Sequence, residues 1–216
     1  MSGKAFKTLR GQRGFTLVEI IVMMAILTIG IVGTLAVANV AVQSSTRNEQ
    51  QVVAANLARE GVELIRAIRD SNWAAAAEGS GISCWNYYAK SPAQAQAVPY
   101  TTSCTQVYTG NQFVAHPNVG NGMPYLEGHR VANTKDPVFR LCREASTGLY
   151  RPSAAPCSSG HTFFRRVAIT VGKRLGTDAV DGKSKVSYRI RSFVTWPDNE
   201  GPDVMVESYI TDWRKP

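Results

Sequence analysis

No C-x-x-C pair occurs in this chain of 216 residues, and its three histidines, His116, His129 and His161, stand singly in loop-like sequence. That spacing excludes a zinc-ligand framework. Absent too are G-x-S-x-G, H-E-x-x-H, a phosphate-binding P-loop and any carboxylate pair on a recognisable scaffold, so no enzyme class can be read from the residues. No cofactor is implied. Acids are missing ahead of the first apolar run, where Lys4, Lys7, Arg10 and Arg13 carry the charge. Of the 24 basic residues these four belong to a leader, leaving 20 against 16 acids. The net charge then falls from +8 to +4, and a nucleic-acid reading loses half its compositional support.

What is present begins with an apolar run of 28 residues, Phe15 to Val42, which holds one charge at Glu19. A run longer than the ~20 residues a spanning helix needs should cross a bilayer. The basic residues before it hold the N-terminus in the cytoplasm, and everything after about Val42 lies outside. All four cysteines, Cys84, Cys104, Cys142 and Cys157, follow the run, an even number on one side of a membrane. They read as two disulfides in an oxidising compartment. Three connectivities are open, of which Cys84 with Cys104 and Cys142 with Cys157 is the simplest.

Three fates of the apolar run compete. A signal peptidase would cut near Ala36-Val37-Ala38, releasing a secreted enzyme or extracellular binding protein, but the apolar core is longer than the usual ~7–15 residues and holds a glutamate. An uncut anchor, displaying such a protein on the membrane, is the second fate. The third rests on Gly14-Phe15-Thr16-Leu17-Val18-Glu19, which resembles the cleavage site of type IV prepilins and the related type II secretion pseudopilins. That resemblance implies a leader, residues 1–14, removed after Gly14 by a prepilin peptidase, N-methylation of Phe15, and retention of the helix. It also gives the glutamate a role. A carboxylate at the bilayer center costs roughly 2.5–3.5 kcal/mol and demands a partner. In a fibre, the Phe15 ammonium of a neighbouring subunit would meet Glu19 and set the axial register. Many members of the family have a proline midway along this helix; here Ala36 stands there, with Gly30 and Gly33 nearby.

Proline is also missing from Gln43 to Ser71, where Val53, Leu57, Leu64, Ile65 and Ile68 recur at helical spacing. The helix should therefore continue outside the membrane as an amphipathic extension over 43–73, for a rise on the order of 80 Å. Arg59, Glu63, Arg66 and Asp70 are spaced to pair along it. Gly61, which costs about 1 kcal/mol in a helix interior, marks a close approach by the sheet. Residues 56–73 are similar to the second half of the long helix in minor-pilin-like proteins. A coiled-coil dimer is the competing reading.

Residues 74–160 hold seven of the ten prolines and read as a loop-rich region tied by disulfides, with short strands at Val138 to Arg143 and Gly148 to Arg151. Trp85, Tyr87, Tyr88, Tyr100 and Tyr108 either fill a small core there or form a surface for a ligand. From His161 to the end the alternation becomes that of strands: Val167, Ile169 and Val171, then Val186, Tyr188, Ile190, Val194 and Trp196, then Val204 to Trp213. An antiparallel sheet of three or four strands packed on the long helix gives an α+β, pilin-like fold.

Two surface features carry rival readings. Arg165, Arg166, Lys173, Arg174, Lys185, Arg189 and Arg191 form either a solvated face or a basic face for extracellular DNA, with Lys185, Arg189 and Arg191 central to it. Asp198, Asn199, Glu200 and Asp203 form either a plain turn or a calcium loop. The leading functional expectation is a minor subunit of a type IV pilus or a type II secretion pseudopilus. It would be a single-pass precursor in the inner membrane and then part of a surface or periplasmic fibre. Its partners would be other pilin subunits and the prepilin peptidase with its N-methyltransferase.

Overall fold

The computed structural model describes residues 14–77, 112–117, 124–131, 133–158, 162–177 and 184–211. One helix, α1, runs from Leu17–Ala77, matching the absence of proline over that stretch. The chain divides into two compact units at residues 48 and 49. In the first, residues 14–48 are exposed throughout, apolar side chains included: Leu17 is 74% and Ile29 74% exposed. The Thr28 and Thr34 hydroxyls donate to the carbonyls of Ala25 and Ile31, each at 2.9 Å. An apolar stretch thereby carries hydroxyls without leaving them unpaired. The helix is long and apolar enough to cross a membrane.

The second unit packs the rest of α1 on an antiparallel sheet of seven strands, the expected α+β arrangement. In chain order these are β1 Gln112–His116, β2 Tyr125–His129, β3 Arg140–Arg143, β4 Tyr150–Pro152, β5 Phe163–Thr177, β6 Ser184–Thr195 and β7 Val204–Ile210. Long β5 is the spine. Along one edge it pairs with β6, which pairs with β7; its other edge is shared by β3 at Phe163 and Phe164 and by β1 at Val167 and Ala168. Strand β2 closes one branch and β4 the other.

Helical residues at spacings of three and four turn to the sheet: Ala54, Leu57, Ala58, Val62, Ile65 and Ile68 are all buried. Ile65 and Ile68 meet Phe113, Val167, Ile169 and Ile190, whereas Leu57 and Ala58 meet Phe163, Val194 and Trp196. At Gly61 the sheet comes so near that an added Cβ would fall on Ser192 Oγ and lie 3.2 Å from Arg165 Cδ. The opposite sheet face has a smaller cluster of Val114, Phe139 and Phe164.

The seven strands exceed the three or four expected, because the region read as loop-rich contains β1 and β2 as well as β3 and β4. Strand β1 shows no alternation: Phe113, Val114 and Ala115 are consecutively buried, since both faces of the sheet are covered there. Val171, expected in the core, is 56% exposed. It lies beyond Ala168, where the pairing of β1 with β5 stops. Cys142 is bonded to Cys157, tying β3 to the chain after β4. Cys84, Cys104, the aromatic cluster from Trp85 to Tyr108, His161 and Trp213 lie outside the described residues.

Candidate processing and assembly site

Residues Gly14 to Thr16 are non-helical, and Thr16 caps the helix. Its Oγ1 accepts a hydrogen bond from the Glu19 amide at 3.3 Å, and its carbonyl accepts one from Ile20 at 3.2 Å. Threonine followed three residues later by glutamate is the spacing of a capping box. A carboxylate in the first turn also lies at the positive end of the helix dipole. This bond is made by the Glu19 main-chain amide, and T-x-x-E makes the cap legible in the sequence beside the partner expected for the carboxylate in another subunit.

Among the described residues, nothing within the fold requires Gly14. A Cβ there would meet no atom within 4 Å, and among the described residues the sole positive φ belongs to Gly148. Gly30 and Gly33 are equally open. Phe15 is 68% exposed.

The basic residues are not gathered on one face. Arg165 points inward and is 1% exposed; it donates to Leu57 O at 3.3 Å and Ala115 O at 3.0 Å and pairs with Glu60 at 3.2 Å. Burial lowers its pKa, and the Glu60 carboxylate opposes that shift. Arg165 is thus a clamp joining α1, β5 and β1, not part of a docking surface. Arg166, Arg189 and Arg191 do alternate onto the face away from the helix. Arg166 lies over the Phe193 ring at 4.2 Å and donates to Gln112 Oε1 and Thr134 Oγ1. Arg191 stands opposite Glu207 on β7. The side chains of Lys173, Arg174 and Lys185 lie outside the described residues.

Within the turn proposed for calcium, oxygens are already engaged. Lys135 Nζ donates to Pro197 O at 3.1 Å and Asn199 O at 3.0 Å, and Asp203 Oδ2 accepts from the Thr134 hydroxyl at 2.7 Å. Asn199 Oδ1 takes the Gly201 amide. Among the described residues no group of three or more histidine, cysteine or acidic side chains is placed to hold a metal ion. Of the expected helix pairs, Arg66 meets Glu63, while Asp70 takes Arg69 and Arg66 reaches across to Ser208. Two histidines read as scattered are brought together: His116 and His129 lie on either side of Glu127.

No curated protein and no solved structure matches the chain. Residues 9–35, which contain Gly14, Phe15, Thr16 and Glu19, match the family described as a prokaryotic N-terminal methylation motif. Proteins with this motif are structural subunits. Over that segment the chain carries the prepilin-type motif found in the type IV pilin and pseudopilin family.

Proposed function

We propose that the chain is a minor structural subunit of a type IV pilus or a type II secretion pseudopilus, made as a membrane-anchored precursor, cleaved after Gly14 and assembled through its apolar helix. The observation that carries this reading is that the matched motif opens a helix whose apolar side chains, from Phe15 to Val42, have no partner in their own unit. Such a surface needs lipid or other helices to cover it. Gly14 adds support: neither crowding nor backbone conformation explains a glycine there, so the demand comes from an outside agent that must close on the backbone, as a peptidase does. After cleavage, Phe15 carries the new, methylated amine. Glu19, one helical turn away, meets that ammonium on a neighbouring subunit. The body built on β5 stays outside the membrane, and the chain acts as a building block and not as a catalyst.

Intact mass and N-terminal sequencing of protein extracted from membranes test this directly. A mature chain beginning at N-methylated Phe15 is expected. A chain beginning at Asn39 would mean signal-peptidase cleavage, loss of the apolar helix, and a secreted enzyme or binding protein instead. Gly14→Val should accumulate as uncut precursor; normal processing of that variant would refute the cleavage site.

A further inference from the structure

On the face away from the helix, β5, β6 and β7 set their side chains in three rows. The register puts Arg166, Phe193 and Met205 in the first row and Ala168, Arg191 and Glu207 in the second. Thr170, Arg189 and Tyr209 make the third.

Positive charge is left over in these rows. Arg166 is used within the fold, by Phe193, Gln112 and Thr134. Arg191 is not: its guanidinium lies 5.7 Å from the centroid of the Phe193 ring, which already carries Arg166 at 4.2 Å. Glu207 stands opposite Arg191, yet its carboxylate accepts from the Tyr209 hydroxyl at 3.1 Å and forms no ion pair with the arginine. Among the described residues neither Arg189 nor Arg191 makes a hydrogen bond or an ion pair. Arg191 Nε and, one row on, Thr170 Oγ1 are shielded from solvent without a hydrogen-bond partner, a state that native folds leave at few positions. Along β7 the same face is apolar and open: Met205 is 50% and Tyr209 55% exposed. Among the described residues β7 pairs with β6 alone, so no further strand covers that side.

Composition says what kind of partner fits. Protein interfaces are enriched in arginine, aromatic residues and methionine and depleted of lysine. These rows hold three arginines, a phenylalanine, a tyrosine and a methionine, with no lysine. A nucleic-acid strand needs a continuous basic track with open aromatic faces for its bases. Here Glu207 interrupts the track, and a guanidinium lies over the Phe193 ring.

We propose that this face of β5, β6 and β7 docks an acidic segment of another protein chain, whose carboxylates pair with Arg189 and Arg191 and whose apolar side chains cover Met205 and Tyr209. Guanidinium forks suit carboxylates, which they hold by two parallel hydrogen bonds. The surface belongs to the second unit and does not rest on the N-terminal motif, so it stands apart from cleavage at Gly14 and from assembly through the apolar helix.

The test is binding of a fluorescently labelled glutamate–tyrosine copolymer to the full chain in detergent micelles, followed by anisotropy, beside single-stranded oligothymidylate of equal charge. The copolymer should bind more tightly than the oligonucleotide. Arg189→Gln and Arg191→Gln should each weaken copolymer binding about tenfold. Met205→Ser combined with Tyr209→Ser should weaken it as well, with both charges intact. Circular dichroism identifies the variants that fold. Should Arg191→Gln not fold, Arg189→Lys decides: it keeps the charge, loses the fork and must still bind severalfold more weakly. Absence of copolymer binding, or binding that the arginine or the apolar variants leave unchanged, overturns the proposal. So does oligonucleotide binding as tight as that of the copolymer, which would make the face a general polyanion surface.

Discussion

Replacing Gly61 with alanine separates the packing argument from helix propensity, because the two have opposite signs. In a free helix interior, alanine stabilises by about 1 kcal/mol relative to glycine. Here the new methyl would fall on Ser192 Oγ and lie 3.2 Å from both Ser192 Cβ and Arg165 Cδ. Neither neighbour is free to move: Ser192 is fully buried in β6, and Arg165 is held by Leu57 O, Ala115 O and Glu60. Overpacking of this kind costs about 1–3 kcal/mol. A net loss of up to roughly 2 kcal/mol follows, or as much as about 8 °C in thermal midpoint for a chain of this size. Thermal unfolding in detergent, followed by tryptophan fluorescence, reads it, since Trp196 lies in the core beside Leu57 and Ala58. Ser192→Ala should be neutral or slightly stabilising alone, because the hydroxyl it removes is buried without a hydrogen bond. Combined with Gly61→Ala it should recover part of the loss. An increase in midpoint for Gly61→Ala would refute the close approach of helix and sheet.

Removing the Cys142–Cys157 bond with serine at both positions should cost about 3 kcal/mol, given a sequence separation of 15, and chemical denaturation measures it. An unchanged midpoint would mean that β3 and β4 hold this segment without the bond. Millimolar calcium should leave thermal stability unchanged, because the Lys135 ammonium already takes the Pro197 and Asn199 carbonyls; a rise in midpoint would refute that occupancy.

The helix was legible from its lack of proline and its three-four spacing, and β6 from its alternation: Tyr188, Ile190, Val194 and Trp196 are buried as expected, and the side chain of Val186, expected beside them, lies outside the described residues. Gly61 was legible too, since an isolated glycine in a helical pattern implies a neighbour that leaves no room for a side chain. What escaped notice is two-sided or non-local. Strand β1 has neighbours on both faces, and β2, Tyr-Leu-Glu-Gly-His, has Leu126 as its one buried apolar residue, so neither shows alternation. Arg165 looked like its neighbour Arg166, yet strand geometry sends adjacent side chains to opposite faces, and the count that buries one exposes the other. The cluster of His116, Glu127 and His129 depends on hairpin register, which the chain between β1 and β2 does not announce.

Glu19 answers to two physical demands, which substitution can separate. Thr16 Oγ1 takes the main-chain amide of position 19, a cap worth about 1 kcal/mol that needs no charge at that position, and glutamine has the same capping-box spacing as glutamate. As the partner of a neighbour's ammonium Glu19 must be ionised, and a charge in lipid is otherwise unfavourable by roughly 2.5–3.5 kcal/mol. Glu19→Gln keeps the first role and deletes the second. Thr16→Val does the reverse, fraying the first turn while the carboxylate stays. If register depends on charge, Glu19→Gln should be processed normally yet be depleted from sheared fibres, whereas Thr16→Val should enter them at a level closer to wild type. Immunoblots of fibre and membrane fractions give that ratio. Incorporation of Glu19→Gln equal to wild type would leave the cap as sufficient reason for the residue and remove the carboxylate from assembly.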